Sequence, residues 1–133
     1  MNKLDKKELT GIAALLVHAA KIDEHYSDKE KKIILLFIKS FAEKSEFVEE
    51  ILKEAENLER DSNQLLDFTN IIKKNSQDFK ARIIKELWKI IISNDISDEY
   101  EANLMRRICG LIYFSDKLSG EIKMSLTLER KKI

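Results

Sequence analysis

The chain of 133 residues contains no proline, three glycines and one cysteine. Turns between strands draw on glycine and proline, so their scarcity disfavours a sheet protein. The single cysteine, Cys109, excludes an intramolecular disulfide and a zinc site built from cysteines. Because Cys109 lies in an apolar run, we interpret it as a small core residue and not as a reactive thiol.

The chain also lacks an excess of either charge, with 24 basic and 24 acidic side chains. Phosphate backbones are bound by a surplus of positive charge, so we expect no nucleic acid as a partner. The apolar stretch at residues 12–20 is too short and too polar to span a membrane, and no secretory signal is apparent. We therefore expect a cytoplasmic protein without direct membrane insertion.

Apolar residues instead recur every three or four positions, which is the period of an amphipathic helix. Residues 33–38, "IILLFI", are apolar all round, which is typical of a helix surrounded by others. The pattern predicts helices near 6–22, 28–43, 46–58, 62–74, 77–93, 99–113 and 116–127. The short connections between them are those of a compact bundle. The sequence therefore predicts an all-α fold, a seven-helix bundle in one domain over residues 1–133.

Four helix starts carry a capping box, in which a short polar side chain precedes an acid or amide by three positions. The pairs are Asp5 with Glu8, Ser27 with Glu30, Asp61 with Gln64 and Asp98 with Glu101.

The chain also repeats itself when Glu30 is aligned with Glu101 without a gap. The alignment places Ser27 on Asp98, Ile12 on Ile83, Leu16 on Leu87, Ile34 on Met105 and Phe37 on Ile108. Each half is thus a helix, an acidic loop and a second helix, with Phe37 and Ile108 expected in the core. We predict two pseudo-symmetric helix–loop–helix halves related by an approximate twofold axis.

Two stretches resemble the TerB-like family, named after a bacterial tellurite-resistance protein. They are "AAKIDEHYSDKEKKI" and "LWKIIISNDISDEYEANLMRRICGLIYFSD", and the resemblance spans roughly residues 9 to 125. Membrane-anchored J-domain co-chaperones carry a related helical domain. The resemblance implies an all-helical, pseudo-symmetric fold, a non-enzymatic role in bacterial stress or envelope-associated complexes, and an acidic surface that binds divalent metal.

The family's signature is an Asp-Gly pair followed, after a few residues, by a helix-opening glutamate in each half, and this chain departs from it. Asp23 and Glu30 match in the first loop, but Glu24 replaces the glycine. In the second loop Glu101 matches, while Asn94 replaces the aspartate and Asp95 the glycine. The loss of both glycines weakens the case for a tight ion-wrapping loop.

The candidate metal ligands form one set in each loop, because calcium takes six to eight oxygen ligands. The first set is Asp23, Glu24, Asp28 and Glu30, and the second is Asn94, Asp95, Asp98 and Glu101. Capping explains Glu30 and Glu101 without an ion, so we favour caps over a metal site and name no certain cofactor, with calcium or another divalent cation as the candidate.

The remaining polar residues give weaker signals. His18 and His25 are too few for a zinc site, which takes at least three protein ligands. The basic pair Arg106 and Arg107 is interpreted as solvated charge, and Trp88 as a core or half-exposed aromatic. No phosphate loop or catalytic triad motif is present.

Two classes of function follow. The first is a non-enzymatic interaction or scaffold domain of the TerB-like kind, with an unidentified protein partner and modulation by a divalent metal. The alternative is a small metal-dependent enzyme with an acidic centre between the two halves. A substrate cavity at the acidic loops would favour the enzyme, and a convex acidic surface the interaction domain.

Overall fold

The computed structural model of the protein describes residues 4–21, 26–42, 47–61, 65–92 and 99–131. Within these residues the chain forms seven helices and no strand, which confirms the all-α prediction. The helices are α1 (Lys6–Ala20), α2 (Asp28–Phe41), α3 (Val48–Asp61), α4 (Leu66–Lys73), α5 (Gln77–Ile92), α6 (Glu99–Ile112) and α7 (Asp116–Lys131).

Most helices begin where the sequence predicts, and the differences concern α3, α4 and α7. Asp61 is not the cap of α4, because it is the last residue of α3. Helix α4 begins only after Leu65, whose side chain makes no capping hydrogen bond. Helix α7 continues to Lys131, beyond the predicted end at residue 127, because its last turns contain good helix formers and no stop signal.

Of the other predicted capping boxes, the one at α1 is confirmed. The Glu8 N–H donates to Asp5 Oδ1 at 2.7 Å, and the Asp5 N–H donates to Glu8 Oε1 at 3.2 Å. The box of Asp98 and Glu101 lies outside the residues whose side chains are described. Two serine caps were not predicted: Ser76 Oγ accepts from the Phe79 N–H, and Ser115 Oγ from the Leu118 N–H.

Helix α1 is the central helix of the bundle. It packs against α2, α3, α4 and α5, and all its residues from Leu9 to Ala20 except His18 are buried. Small residues let its neighbours approach closely. A Cβ atom at Gly11 would lie 2.5 Å from Cδ1 of Ile71 in α4. A side chain at Gly11 would therefore displace the end of the Ile71 side chain.

The aligned positions of the two halves show the same burial. Ile12 and Ile83, Leu16 and Leu87, Ile34 and Met105, and Phe37 and Ile108 are all at most 2% exposed. The bounds of α2 also coincide with those of α6 in the alignment of Glu30 with Glu101. The predicted burial of Phe37 and Ile108 is therefore confirmed, whereas the twofold relation between the halves stays a prediction.

Helix α2 is not buried on all sides, so that part of the sequence prediction is wrong. Leu36 is 58% exposed, and Ile33 and Leu35 are only partly buried. The helix packs against α1, α3 and α5, and this arrangement leaves one side open to solvent. Its buried side ends in an aromatic cluster, in which the Phe41 ring lies 5.0 Å from that of Phe37 and 5.8 Å from that of Phe79 of α5.

The third helices of the two halves pack differently on their first helices. Helix α3 runs alongside α1, with Glu50 near Lys6 at one end and Glu59 near Lys21 at the other. In the second half Ser119, near the start of α7, contacts Trp88, near the end of α5. Helix α3 packs on α1 and α7 packs on α5, so the repeat in helix contacts includes the third helix of each half, although the polar contacts differ.

Candidate functional site

The candidate metal ligands fall into two groups according to their place in the structure. Asp28 and Glu30 lie in the first turn of α2, and Glu101 lies in the first turn of α6, where its backbone alone is described. The others lie outside the described residues: Asp23, Glu24, Asn94, Asp95 and Asp98. The structure therefore brings together part of the first set only.

Glu30 is a helix-capping residue, as predicted. Its Oε1 atom accepts hydrogen bonds from the Ser27 N–H at 2.8 Å and from the Ser27 hydroxyl at 2.9 Å. The Glu30 N–H in turn faces Ser27 Oγ at 3.3 Å. Glu30 is fully buried, whereas Asp28 is exposed. Capping thus occupies one carboxylate oxygen of Glu30, and the acid is held at the start of α2.

A polar cluster surrounds this cap where α1, α2 and α3 meet, next to the points at which the chain enters and leaves residues 22–25. Glu59 of α3 is its centre: Oε1 lies 3.3 Å from Nδ1 of His18, and Oε2 lies 3.0 Å from Nζ of Lys21. Glu56, one turn earlier, lies 3.9 Å from Nζ of Lys31. We call these five side chains, together with Glu30 and Tyr26, the first-half cluster.

Tyr26 adds a phenol to the first-half cluster. Its hydroxyl oxygen is buried and has no hydrogen-bond partner of good geometry among the described residues. Burial raises the pKa of the phenol far above its usual 10.0, and the carboxylates of Glu56, Glu30 and Glu59 raise it further. The ammonium of Lys31 lies 4.9 Å from the centre of the Tyr26 ring. The phenol is therefore neutral, within a group of three carboxylates.

Glu56 and Glu59 are not among the site residues that the sequence predicts. A signal for them is available, because each lies four residues after a buried apolar residue, Leu52 or Ala55, and so at the edge of the buried face of α3. His18 was considered only together with His25, as a pair too small for a zinc site, and the structure pairs it with Glu59.

A cation bound next to the first-half cluster would take oxygen ligands from its carboxylates. Among the residues that the structure describes, no group of three or more histidine, cysteine, aspartate or glutamate side chains is arranged to hold a metal ion. A calcium site at this place would therefore need the oxygens of Asp23 and Glu24 in addition to Glu30.

The other candidate residues have structural environments or lie outside the description. Cys109 is buried, and burial raises the pKa of its thiol. Trp88 is buried and donates a hydrogen bond from Nε1 to Ser119 Oγ at 3.0 Å. Arg106 and Arg107 are exposed on α6, and His25 lies outside the described residues. The prediction for Cys109 as a core residue is confirmed, and of the two environments left open for Trp88 the structure shows the core.

Comparison with known proteins gives one match. A family model described as "Tellurite resistance protein TerB" matches residues 9–124, which is nearly the stretch that carries the resemblance. No curated protein and no solved structure matches the chain. Within the described part of the chain, none of the seven helices has the length and apolar character required to cross a membrane.

Proposed function

We propose a function on the basis of the family, because the chain belongs to the TerB family. The protein is a non-enzymatic interaction domain in a bacterial stress response related to tellurite resistance. Its partner is another protein of the same cell, and a divalent metal at the acidic loops modulates the interaction. We place this activity in the cytoplasm, in agreement with the single buried cysteine and the balanced charge.

The proposal rests on the apolar side chains that are exposed on the outer side of α7. Leu118, Met124 and Leu128 are 45%, 66% and 54% exposed on this helix. Met124 and Leu128 are four residues apart, so they lie on one face of the helix. Neighbouring exposed apolar side chains are a usual feature of protein contact surfaces, and they gain free energy when a partner covers them.

The metal part of the proposal is based on the first acidic loop. Glu30, Glu56 and Glu59 all act on the Tyr26 phenol in the first-half cluster, and Glu30 lies in the first turn of the helix that follows the loop containing Asp23 and Glu24. The second loop has Asn94 where the family has aspartate, and an amide is a weaker calcium ligand than a carboxylate. We therefore assign weak binding of calcium or another divalent cation to the first loop, with Asp23 and Glu30 as its centre.

Capture from the host cell tests the proposal. The tagged protein is expressed in its own host at native level, and the proteins that co-purify are identified by mass spectrometry, once with calcium and once with a chelator. The proposal predicts a co-purifying protein whose amount changes on chelation. If the purified protein turns over a small-molecule substrate and retains no protein in either condition, the interaction role is wrong.

A further inference from the structure

A surface groove lies between α5 and α7, away from the first-half cluster. It has a volume of about 470 Å³, and Ala81 of α5 and Ile122 of α7 contribute its apolar part. The rest of its lining is charged and comes from α5 alone. A groove with an apolar part and charged residues along one helix has the character of a site for another amphipathic element.

The cations along the groove follow a helical spacing. Arg82, Lys85 and Lys89 are three and four residues apart on α5, so all three lie on one face. At 1.5 Å per residue, their Cα atoms are separated by about 4.5 and 6 Å along the helix axis. A second helix placed alongside α5 presents its side chains at the same intervals.

Two of the three cations are not neutralised within the described part of the chain. Arg82 donates from Nη2 to Ser40 Oγ at 2.7 Å, and its guanidinium lies 4.6 Å from the centre of the Phe41 ring. Neither partner is an acid. Lys85 is exposed and forms no ion pair with a described residue. The groove therefore holds a guanidinium held against α2 and an exposed ammonium, neither of which forms an ion pair with a described residue.

The acids of the groove do not cancel this charge. Glu86 is 7% exposed and lies 3.1 Å from Nζ of Lys89, so it compensates that lysine. Asp78, the other acid of the lining, lies in the first turn of α5, where it favours the helix dipole. The middle of the groove, at Arg82 and Lys85, is left positive.

The face of α1 that aligns with this face of α5 is covered by another helix. Arg82 aligns with Gly11 and Lys85 with Ala14, and both of these residues are buried. Gly11 is covered by α4 through Ile71. In the second half α2 contacts Arg82 through Ser40 and Phe41, yet Arg82 and Lys85 are both exposed. The face of α5 that aligns with the α4-covered face of α1 thus carries exposed cations instead of buried small residues.

We propose that this groove binds an acidic helical segment of a partner protein. Carboxylates at positions i and i+3 of that segment pair with Arg82 and Lys85, and an apolar residue between them covers Ala81 and Ile122. The inference rests on the proposed interaction role and specifies the chemistry of the partner. Charge complementarity selects an acidic segment because a neutral or basic one would leave the two cations unpaired.

A synthetic peptide tests the groove. The probe is a fluorescent, alanine-based helical peptide with glutamates at i, i+3 and i+7 and one leucine, and its control carries glutamine in place of each glutamate. The folded protein should bind the glutamate peptide with at least about tenfold higher affinity at low salt, as measured by fluorescence anisotropy. Equal binding of the two peptides would overturn the proposal.

Charge reversal locates the site. Lys85→Glu should weaken binding of the glutamate peptide by about tenfold or more, because the introduced carboxylate repels those of the peptide. Lys53 of α3 is also exposed, so Lys53→Glu is the matched control, and it should change the affinity less than about twofold. Lys85 forms no ion pair or hydrogen bond with a described residue, so its reversal should leave the melting temperature nearly unchanged. Equal weakening by both variants would place the binding elsewhere and overturn the proposal.

Three further outcomes are informative. If a single-stranded oligonucleotide binds more tightly than the glutamate peptide and Lys85→Glu abolishes that binding, the groove serves nucleic acid and the proposal is wrong. If capture from the host succeeds while the peptide does not bind, the groove proposal fails and the interaction role stands. If the wild-type protein self-associates and Lys85→Glu abolishes that association, the occupant is a second copy and not a separate partner, which also contradicts the proposal.

Discussion

The indole of Trp88 donates a hydrogen bond to the hydroxyl of Ser119 at 3.0 Å, and both residues are buried. This bond joins the last turns of α5 to the start of α7. The aligned positions in the first half, Val17 and Val48, carry no polar group, and α3 instead runs alongside α1 with ion pairs at both ends. The third helices of the two halves are thus joined to the first helices by different polar contacts.

The core position Phe37 should contribute strongly to stability. Its side chain is 2% exposed and packs against Phe41. Phe37→Ala should lower the free energy of unfolding by about 3–5 kcal/mol, because it removes apolar contacts and leaves a cavity. The neighbouring Leu36 is 58% exposed, so Leu36→Ala is the control and should cost less than about 1 kcal/mol. Urea unfolding of both variants measures the difference. Similar losses of unfolding free energy would contradict the burial of Phe37 and the exposure of Leu36 on α2.

Tyr113 occupies a backbone conformation that favours glycine. Its φ is 59°, and the Phe114 N–H donates to the Cys109 carbonyl at 2.9 Å, as in the helix ending that usually carries glycine. Tyr113→Gly should be more stable than Tyr113→Ala by about 1 kcal/mol, because alanine keeps the Cβ penalty. Both variants lose the contact of Lys73 with the ring, so their comparison isolates the backbone effect. An alanine variant as stable as the glycine variant would contradict this explanation.

Tyr26 should make the protein less stable in alkali. Burial raises the pKa of its phenol above the unfolded value of 10.0, so the folded state holds the proton more tightly than the unfolded state. This contribution is therefore complete below pH 10 and is lost as pH rises above that value. Tyr26→Phe should remove it and have little effect at neutral pH, because the hydroxyl has no hydrogen-bond partner among the described residues.

Thermal unfolding from pH 8 to 11 measures this dependence. Tyr113→Phe is the control, because the Tyr113 ring is 68% exposed. The difference between wild type and Tyr26→Phe should change above pH 10, while the difference for Tyr113→Phe should stay constant. A constant difference for both variants would show that Tyr26 is not buried in solution.

Calcium should raise the melting temperature through the first loop. A millimolar divalent ion that binds only the folded protein stabilises it by mass action. Asp23→Asn should remove this gain, whereas Asn94→Asp should enlarge it by restoring a carboxylate to the second loop. Thermal scans in EDTA and in calcium measure the shifts, and equal shifts in wild type and both variants would defeat the ligand assignment.

Glu30→Gln separates capping from metal binding. The glutamine carbonyl can still accept from the Ser27 N–H, as Glu30 Oε1 does at 2.8 Å, so the variant should lose less than about 1 kcal/mol in EDTA. It should also lose the calcium gain, because the amide is a weaker ligand. A variant that keeps the full calcium gain would leave Glu30 as a cap alone.

The sequence was sufficient for the helices and the core, because both follow from local patterns. The three- and four-residue spacing of apolar positions predicted the buried faces of α1 and α5, and Ser27 with Glu30 marked the start of α2. Asp61 was wrongly predicted as the cap of α4. A capping residue has a non-helical backbone, whereas Asp61 is the last helical residue of α3. The exposure of Leu36 depends on which helices surround α2, and no local pattern contains that information.

The candidate site was predicted less completely than the helices, because it depends on contacts between helices that no local pattern contains. Glu30 was identified from its position three residues after Ser27 and from the resemblance to the TerB-like family. Its neighbours Glu56 and Glu59 come from α3, and the contacts between helices place them there. The cations Arg82 and Lys85 were likewise not singled out, because their exposure depends on how the other helices pack on α5.

The central claim is that this protein acts by binding another protein. Host-cell capture with two charge insertions on α7 tests this claim most directly. Met124→Glu places a carboxylate on the exposed apolar face, and Ser125→Glu places one at the adjacent exposed position. The account predicts that Met124→Glu reduces the co-purifying protein by about tenfold or more, because a buried unpaired charge is costly, while Ser125→Glu retains it. Equal capture by both variants and the wild type would contradict the account.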